Sequence, residues 1–600
     1  MKLGNAMQSS DNPDPREEYA TFPEDELMAF FGRAEDSGFL TMENILKGPL
    51  GFWMFTLWMS RHAEKTFHNV GQFIVEVATL KLARGKHIQE QKDKIMSSFL
   101  PEMNSAVNEM KPEYVDSDMC RKVRPPVGDK TLYQKHIKEG NVGNMQRESA
   151  SKMSRRASVA STSKSFWPVL MGGSLVDAEQ PPQCQFDVIE ALLVDYCEKV
   201  ALPLWLNKDT NPKLLEYLRY LKIQHEVPPT EKTFNVFRTM GKGGFGLVKG
   251  CRTFTTGRMY AMKEMDMKHV KQKKCKTLCD QEHWALSDPL VCDSPFCVNM
   301  KYAFKTEAAL CLVIDLMMGG DLSFHLDKAE GRKMPENFVR YYSARVILGL
   351  EVMHEAKIVY RDLKPENVLV DGDGRTRLSD LGLAVPLAPG LKGTAGTPGY
   401  LAPEMLQHKT YDQSVDWWSF GCMIYEMANG VGPFRTEEAN KFGGETNLQK
   451  AVNKATCEME VEWPSHFSPE FTDLCKKILC RDPEKRFKIK DIMNHEWYKP
   501  LDWELMRADP DPEEIGEGKP EYPPIVPGKK LNIEDAGDIG EFEDLGDAVT
   551  LVPEDFPEKE WLYVSEKYFQ SEVVWLLQFR EKDGGAPPPA AASSGACQIL

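Results

Sequence analysis

Asp362 and Asn367 stand five residues apart in Val359-Tyr-Arg-Asp-Leu-Lys-Pro-Glu-Asn-Val368. A carboxylate that accepts a hydroxyl proton and orients the nucleophile, with a second oxygen ligand for magnesium close by, is what phosphoryl transfer requires. Lys364 between them can neutralise a γ-phosphate. Asp380, in Arg377-Leu-Ser-Asp-Leu-Gly-Leu-Ala-Val385, offers the main magnesium carboxylate, and Gly382 allows the turn behind it. Lys263 ends Tyr260-Ala-Met-Lys263, whose alternation is that of a strand. It needs a carboxylate to hold it against the α- and β-phosphates of a nucleotide. Glu282, in the helical stretch Leu278–Leu286, has the best spacing, whereas Asp280 falls on another helix face.

These groups need elements to carry them. Gly241-Lys242-Gly243-Gly244-Phe245-Gly246-Leu247-Val248 supplies a backbone turn that can lie close over phosphates. Alone it reads equally as a glycine-rich hairpin; with Lys263 and the acids downstream it reads as a nucleotide-binding turn. Asp321, after Met318-Gly-Gly320, suits either a contact near the ribose or an ordinary turn aspartate. Gly396-Thr397-Pro-Gly-Tyr-Leu-Ala-Pro-Glu404 would form a peptide-docking floor, with Arg486 as the ion-pair partner of Glu404. Asp416 opens a helix whose Trp417, Phe420, Ile424 and Met427 have core spacing, and its carboxylate can tie the loop bearing Asp362. This ordered series is that of a protein kinase, with every catalytic group present.

One residue departs from the usual spelling. Leucine at 381 stands where most protein kinases carry phenylalanine. It has no ligand atom, so it keeps an apolar plug and tunes an active–inactive balance without removing chemistry. Asp380-Leu-Gly382 with Gly396-Thr-Pro-Gly399, and with flanking helical regions in this order, resembles the G protein-coupled receptor kinases, which belong to the AGC group of serine/threonine kinases. The Asp-Leu-Lys-Pro-Glu-Asn spelling is similar to that of serine/threonine rather than tyrosine kinases. The resemblance covers most of the chain and is strongest over 234–500.

The resemblance implies an α+β fold, with a bilobal kinase inserted into an all-helical RGS-homology bundle. Helical periodicity over 37–113 and 186–226 is similar to that bundle, with Ile45-Leu-Lys-Gly-Pro-Leu-Gly51 its most telling piece. The expected organisation is a tail at 1–23 and an RGS-homology domain at 24–233, carrying a serine-rich insertion at about 140–184. A kinase domain at 234–498 and an acidic, proline-rich strap at 499–556 follow. Residues 557–582 are expected to form a helix returning to the bundle, with Leu562, Phe569, Val573 and Leu576 on one face; a flexible tail at 583–600 closes the chain.

Composition is that of a globular chain: 600 residues, 42% hydrophobic and 27% charged, with a net charge of −16. That charge argues against a general nucleic-acid partner. Fourteen cysteines without metal-ligand spacing favour a reducing compartment. The apolar run Gly48–Met59 is too short for a membrane helix, and no signal peptide is expected. The terminal Cys597-Gln-Ile-Leu600 has the C-a-a-X form, for which the final leucine predicts geranylgeranylation of Cys597. Photoreceptor members of the family end similarly, so peripheral attachment to a membrane from the cytoplasmic side is expected; a single prenyl group gives reversible binding.

By resemblance the cofactors are ATP and Mg2+, and the substrates are activated seven-helix receptors phosphorylated on cytoplasmic serines and threonines. Gα subunits are potential partners of the RGS-like region. Two features depart from the family. Met1-Lys-Leu-Gly-Asn-Ala-Met7 matches its N-terminal segment poorly, and Arg155-Arg-Ala-Ser158-Val in the insertion resembles a site for a cyclic-AMP-dependent kinase, though such a stretch is often only solvated loop. Between Asp380 and Glu404 the hydroxyl residues are Thr394, Thr397 and Tyr400, so an activating phosphate facing Arg361 is not expected. An AGC kinase acting on soluble proteins, and a Gα-binding scaffold with secondary kinase activity, are the alternatives.

Overall fold

The computed structural model describes residues 22–61, 65–82, 94–95, 193–194, 196–242, 246–254, 256–510, 512–527, 556 and 561–582. Ser158 and its insertion, Gly243, Gly244, Phe245 and Cys597 lie outside the described residues.

Two bodies are joined through the end of the chain. The first is a helical bundle. Helix α1 (Glu24–Asp36) starts after Pro23 with Glu24, Asp25 and Glu26 in its first turn, where carboxylates complement the helix dipole. Helix α2 (Met42–Lys47) is capped by the Thr41 side chain, and α3 (Pro49–Arg61) begins on a proline, which has no amide hydrogen to leave unpaired. Every residue of α3 from Pro49 to Thr56 is buried, because α4 (Lys65–Leu82) and later helices surround it. The apolar run is therefore the bundle's centre, and no described helix is long and apolar enough to cross a membrane. The region after 193 is broken: a π-helical turn and a short helix reach Trp205, Asn211 ties the loop through Trp205 O, and α5 (Leu214–Glu226) follows.

The second body is bilobal. Its small lobe is an antiparallel sheet of β1 (Phe234–Lys242), β2 (Gly246–Thr253), β3 (Met259–Asp266), β4 (Met300–Lys305) and β5 (Ala309–Asp315), in the order β1-β2-β3-β5-β4. Helix α6 (Lys276–Ser287) packs beside it through Cys279, Ala285 and Leu286. The large lobe is helical around α7 (Glu336–Glu355) and α8 (Ser414–Asn429). Between these two helices in the chain, the short strands β6 (Val368–Val370) and β7 (Thr376–Leu378) pair antiparallel. In α8, Trp417, Phe420, Ile424 and Met427 are buried, and so are the intervening residues up to Ala428.

The described residues between 499 and 527 include several held against the large lobe. Asp509 pairs with Arg345, and Arg507 donates from its two terminal nitrogens to the two oxygens of Glu351. Further on, Phe556 is buried in the same core as the kinase helices, and Lys305 donates to its carbonyl.

The return to the bundle differs from the expected helix over 557–582. Tyr563–Val564 forms a sixth strand, β8, antiparallel to β4 at the open sheet edge, and α9 (Glu566–Lys582) follows. Leu562 thus precedes the strand and is 46% exposed, whereas Phe569, Val573 and Leu576 are buried. The sheet edge decides this, because unpaired β4 amides and carbonyls gain partners that a helix would leave unmet. Helix α9 then has two occupied faces. Phe569, Val573, Val574 and Leu577 enter the bundle core, while Tyr568, Glu572 and Trp575 meet the small lobe.

Candidate active site

The cleft between the lobes gathers the predicted groups from separate elements. Strand β3 presents Lys263, whose Nζ lies 2.7 Å from both Glu282 oxygens on α6. Asp280 instead pairs with Lys276 on the outer face of the same helix. Burial draws Lys263 and Glu282 toward their neutral forms and raises the Glu282 carboxyl, but the two short contacts and Asp380 at 3.5 Å keep Lys263 protonated above the usual lysine range. Asp380 is held below the usual carboxylate range, chiefly by Lys263 and, against its partial burial, by Lys364. Its side chain is 55% exposed, so its charge faces the cleft.

The turn bearing Asp380 is strained in a way its role explains. Asp380 has φ +52°, in the left-handed region that non-glycine residues seldom enter. Neighbouring bonds fix it there: Ser379 N donates to Asn367 O at 2.9 Å, and Tyr360 donates its hydroxyl proton to Ser379 O. Leu381 is fully buried in the core cluster that includes Cys279 and Leu286 of α6.

Asp362 is saturated with donors. Its Oδ1 accepts from Thr397 Oγ1 at 2.7 Å, and its Oδ2 accepts from Lys364 Nζ at 2.8 Å and Asn367 Nδ2 at 3.0 Å. Lys364 Nζ also reaches Thr397 Oγ1 at 2.8 Å. Sequence spacing placed Thr397 in a docking floor; the structure brings its hydroxyl onto Asp362 itself. Gly396 allows this, since at φ +126° an added Cβ would lie 2.5 Å from Arg361 O.

Asp416, wholly buried, accepts from Tyr360 N at 3.0 Å and Arg361 N at 2.8 Å, anchoring the loop that bears Asp362. His354 of α7 also bonds Asp416 at 2.8 Å, a partner that no local spacing signals. Glu404 and Arg486 form a buried bidentate pair at 2.6 and 2.9 Å. Arg361 is engaged by Leu383 O at 2.8 Å and the Tyr411 hydroxyl at 3.1 Å, while Thr394 donates to Met405 O at 2.9 Å.

The glycine-rich turn is described at its two ends. Gly241 and Lys242 close β1, Gly246 and Val248 open β2, and Val248 pairs with Lys263 across the sheet. A Cβ at Gly246 would sit 1.6 Å from Glu264 O, so that glycine is required by close approach of β3. Asp321 caps the short helix Leu322–Lys328 through Phe324 N at 2.8 Å, and burial raises its carboxyl above the usual range.

Among the described residues no group of three or more His, Cys, Asp or Glu side chains could hold a metal alone. Asp380 and Asn367 are nevertheless suited to share magnesium with phosphate oxygens. Asn367 spends its Nδ2 on Asp362, at 2.8 Å from the backbone oxygen, which leaves its Oδ1 as a hard oxygen donor.

Residues 234–498 match the protein kinase domain family. This region is a protein kinase domain. It implies ATP as the phosphoryl donor. The domain is homologous to those of the receptor kinases. The chain is 36% identical over 380 residues to "Beta-adrenergic receptor kinase 1" of Rattus norvegicus, which spans 62% of this chain and 52% of that protein. The Homo sapiens counterpart gives the same identity and coverage. "Rhodopsin kinase GRK1" of Homo sapiens is 39% identical over 341 residues, 55% of this chain and 57% of the relative. The chain thus spans a little over half the length of the curated relatives it matches.

Proposed function

We propose that this chain is an ATP- and magnesium-dependent serine/threonine kinase whose substrates are activated seven-helix receptors. The observation that carries the reading is the convergence of Lys263–Glu282, Asp362, Asn367 and Asp380 on one cleft, within a domain similar to kinases whose names specify receptor substrates. Lys263, held by Glu282, binds the α- and β-phosphates, and the turn from Gly241 to Val248 covers them. Asp380 and Asn367 would hold magnesium, which supplies charge neutralisation on the phosphate oxygens when bound. Asp362 orients the incoming hydroxyl and takes its proton; that hydroxyl joins or replaces the Thr397 hydroxyl on Oδ1. Lys364 faces the transferred group.

The finer assignments belong to the same proposal. The helical bundle is read as an RGS-homology domain, divided by the kinase as the segments 24–233 and 557–582, and a potential surface for Gα. Asp321 is read as a nucleotide neighbour in addition to its capping role, and Thr397, Glu404, Asp416 and Arg486 as the frame of the substrate groove. Cys597 is read as a prenylation site giving reversible membrane attachment, and Ser158 as a site for a basophilic kinase.

Labelled ATP decides the main question. Purified protein is assayed on receptor-bearing membranes and on soluble casein, each with and without agonist or light, beside an Asp362→Asn variant. Stimulus-dependent labelling of receptor, abolished in the variant, is expected. Equal, stimulus-independent labelling of casein would replace receptors with soluble proteins as substrates. Absence of transfer with retained Gα pull-down would favour the scaffold reading.

A further inference from the structure

Lys301 sits where a lysine is least at home. It is the second residue of β4, at the irregularity in pairing between Met300 and Tyr302, is 4% exposed, and burial pushes its ammonium below the usual lysine range despite an adjacent aspartate. An apolar residue would support a strand there as well or better, since taking an ammonium out of water costs several kcal/mol.

Its neighbours connect three parts of the molecule. Nζ lies 3.7 Å from the centre of the Tyr568 ring on α9. It also reaches Asn299 Oδ1 at 3.2 Å and Asp315 Oδ1 at 3.2 Å. Asp315 ends β5, immediately before the segment linking the lobes. Its other oxygen accepts from Arg377 at 2.6 Å and from Asn299 N at 3.0 Å. Arg377 lies on β7, three residues before Asp380, and pairs across to Leu369 on the strand that follows Asn367. The next residue, Leu378, exchanges backbone hydrogen bonds of 2.8–2.9 Å with Phe296 and Val298, just upstream of β4. One aspartate therefore bridges small-lobe and large-lobe cations, and an aromatic ring from the bundle-bound helix covers the cation on the small-lobe side.

We infer that Lys301 is a positioning residue: through Asp315 and Arg377 it sets the strand that carries Asp380, and seating of Tyr568 on Lys301 makes that placement depend on the docking of α9. Replacing the ring removes a favourable partner and opens space beside the ammonium, into which Nζ can move away from Asp315. Asp315 then shifts and Arg377 shifts with it, so the strand that leads into the strained turn at Asp380 is held less firmly. The catalytic half of this inference rests on the kinase reading above; the structural half does not.

Both halves are tested on the full-length protein with Tyr568→Leu, Lys301→Met and Lys301→Arg. Amide hydrogen exchange without nucleotide reads the structural half. Tyr568→Leu and Lys301→Met are expected to speed exchange at 376–382 as well as around their own sites, and Lys301→Arg to restore most of the protection. In phosphate transfer, the magnesium concentration for half-maximal rate is expected to rise at least about threefold in the first two variants, a part of the roughly thirtyfold that a desolvated cation–π contact is worth at its own site, with a smaller fall in kcat. Exchange changes confined to 299–303 and 561–582 would overturn the inference and leave Lys301 a local sheet residue. An unchanged magnesium requirement in an active enzyme would overturn the catalytic half. Exchange that spreads to 376–382 in a protein with no transferase activity would sink the kinase reading while supporting the structural half. Tyr568→Leu keeps the test decisive if Lys301→Met fails to fold.

Discussion

At the residue scale, the Lys263–Glu282 pair shows how a site can be stable only when complete. Glu282 is 5% exposed and tolerates its charge because an ammonium meets both oxygens. Lys263→Met should leave an uncompensated buried carboxylate, a loss of roughly 3–5 kcal/mol if it stays charged. It will instead take up a proton, because its carboxyl is already raised by burial even with the lysine present. A carboxyl whose folded pKa is raised binds its proton more tightly folded than unfolded. Its contribution is therefore greatest below the unfolded value of about 4.3 and falls as pH climbs toward the folded one. Thermal unfolding of wild type and Lys263→Met between pH 5 and 8 should show the variant losing more stability at pH 8 than at pH 5; parallel curves would mean that Glu282 is not neutralised. Phosphate transfer should fall by at least about 10²-fold at every pH, the scale of losing one preorganised charge contact. Most of this arrangement was legible in the sequence, since Asp362, Asn367 and Asp380 lie on short loops at characteristic spacings. Thr397 was only half legible: its bond to Asp362 spans 35 positions and depends on the left-handed Gly396. His354 on Asp416 and the Lys301–Asp315–Arg377 chain gave no local signal, because each joins elements that meet only in the folded chain.

At the scale of elements, α9 is the most informative piece. Its periodicity was readable, with Phe569 and Val573 on one face, whereas its return to the bundle was an expectation carried by the family resemblance alone. The strand before it was not, because two residues carry no pattern of their own and Tyr563–Val564 become a strand only on meeting β4. The small-lobe face of α9 carries a buried acid. Glu572 is 1% exposed, takes one hydrogen bond from Thr256 at 3.1 Å, and its Oε1 has no hydrogen-bond partner. Burial pushes its carboxyl up to about 8, against the opposing charge of Arg258, which stacks on Trp575. The folded chain therefore holds a proton that the unfolded chain has released, and stability contributed by this junction declines from about pH 4.5 to 8 and is flat above. Glu572→Gln keeps the shape and removes the titration. Its unfolding temperature should match wild type near pH 5 and exceed it at pH 8.5 by roughly a few degrees. A constant offset across that range would show that Glu572 does not titrate there.

At the scale of the whole molecule, bundle and kinase are joined by a helix that belongs to both. Gln570 reaches Leu50 N of α3 at 3.4 Å and Gln224 of α5 at 2.9 Å, while half a turn away on either side Tyr568 and Glu572 hold the small lobe. A disturbance on the bundle face should therefore reach the small lobe, which α9 touches directly, before α8 of the large one. Leu577 is 4% exposed within the bundle core, and Leu577→Ala should cost about 2–5 kcal/mol there by transfer and cavity formation. If α9 couples the two bodies, hydrogen exchange will quicken in α3 and α5 and also along β4, whose free edge β8 covers. Exchange in 414–429 should stay at the wild-type rate. Acceleration limited to the bundle would mean that the small-lobe face of α9 holds by itself, and that the two bodies are adjacent without being mechanically linked. Acceleration everywhere would mean one cooperative unit, in which a bundle defect lowers the stability of the catalytic loop as directly as a defect in α8.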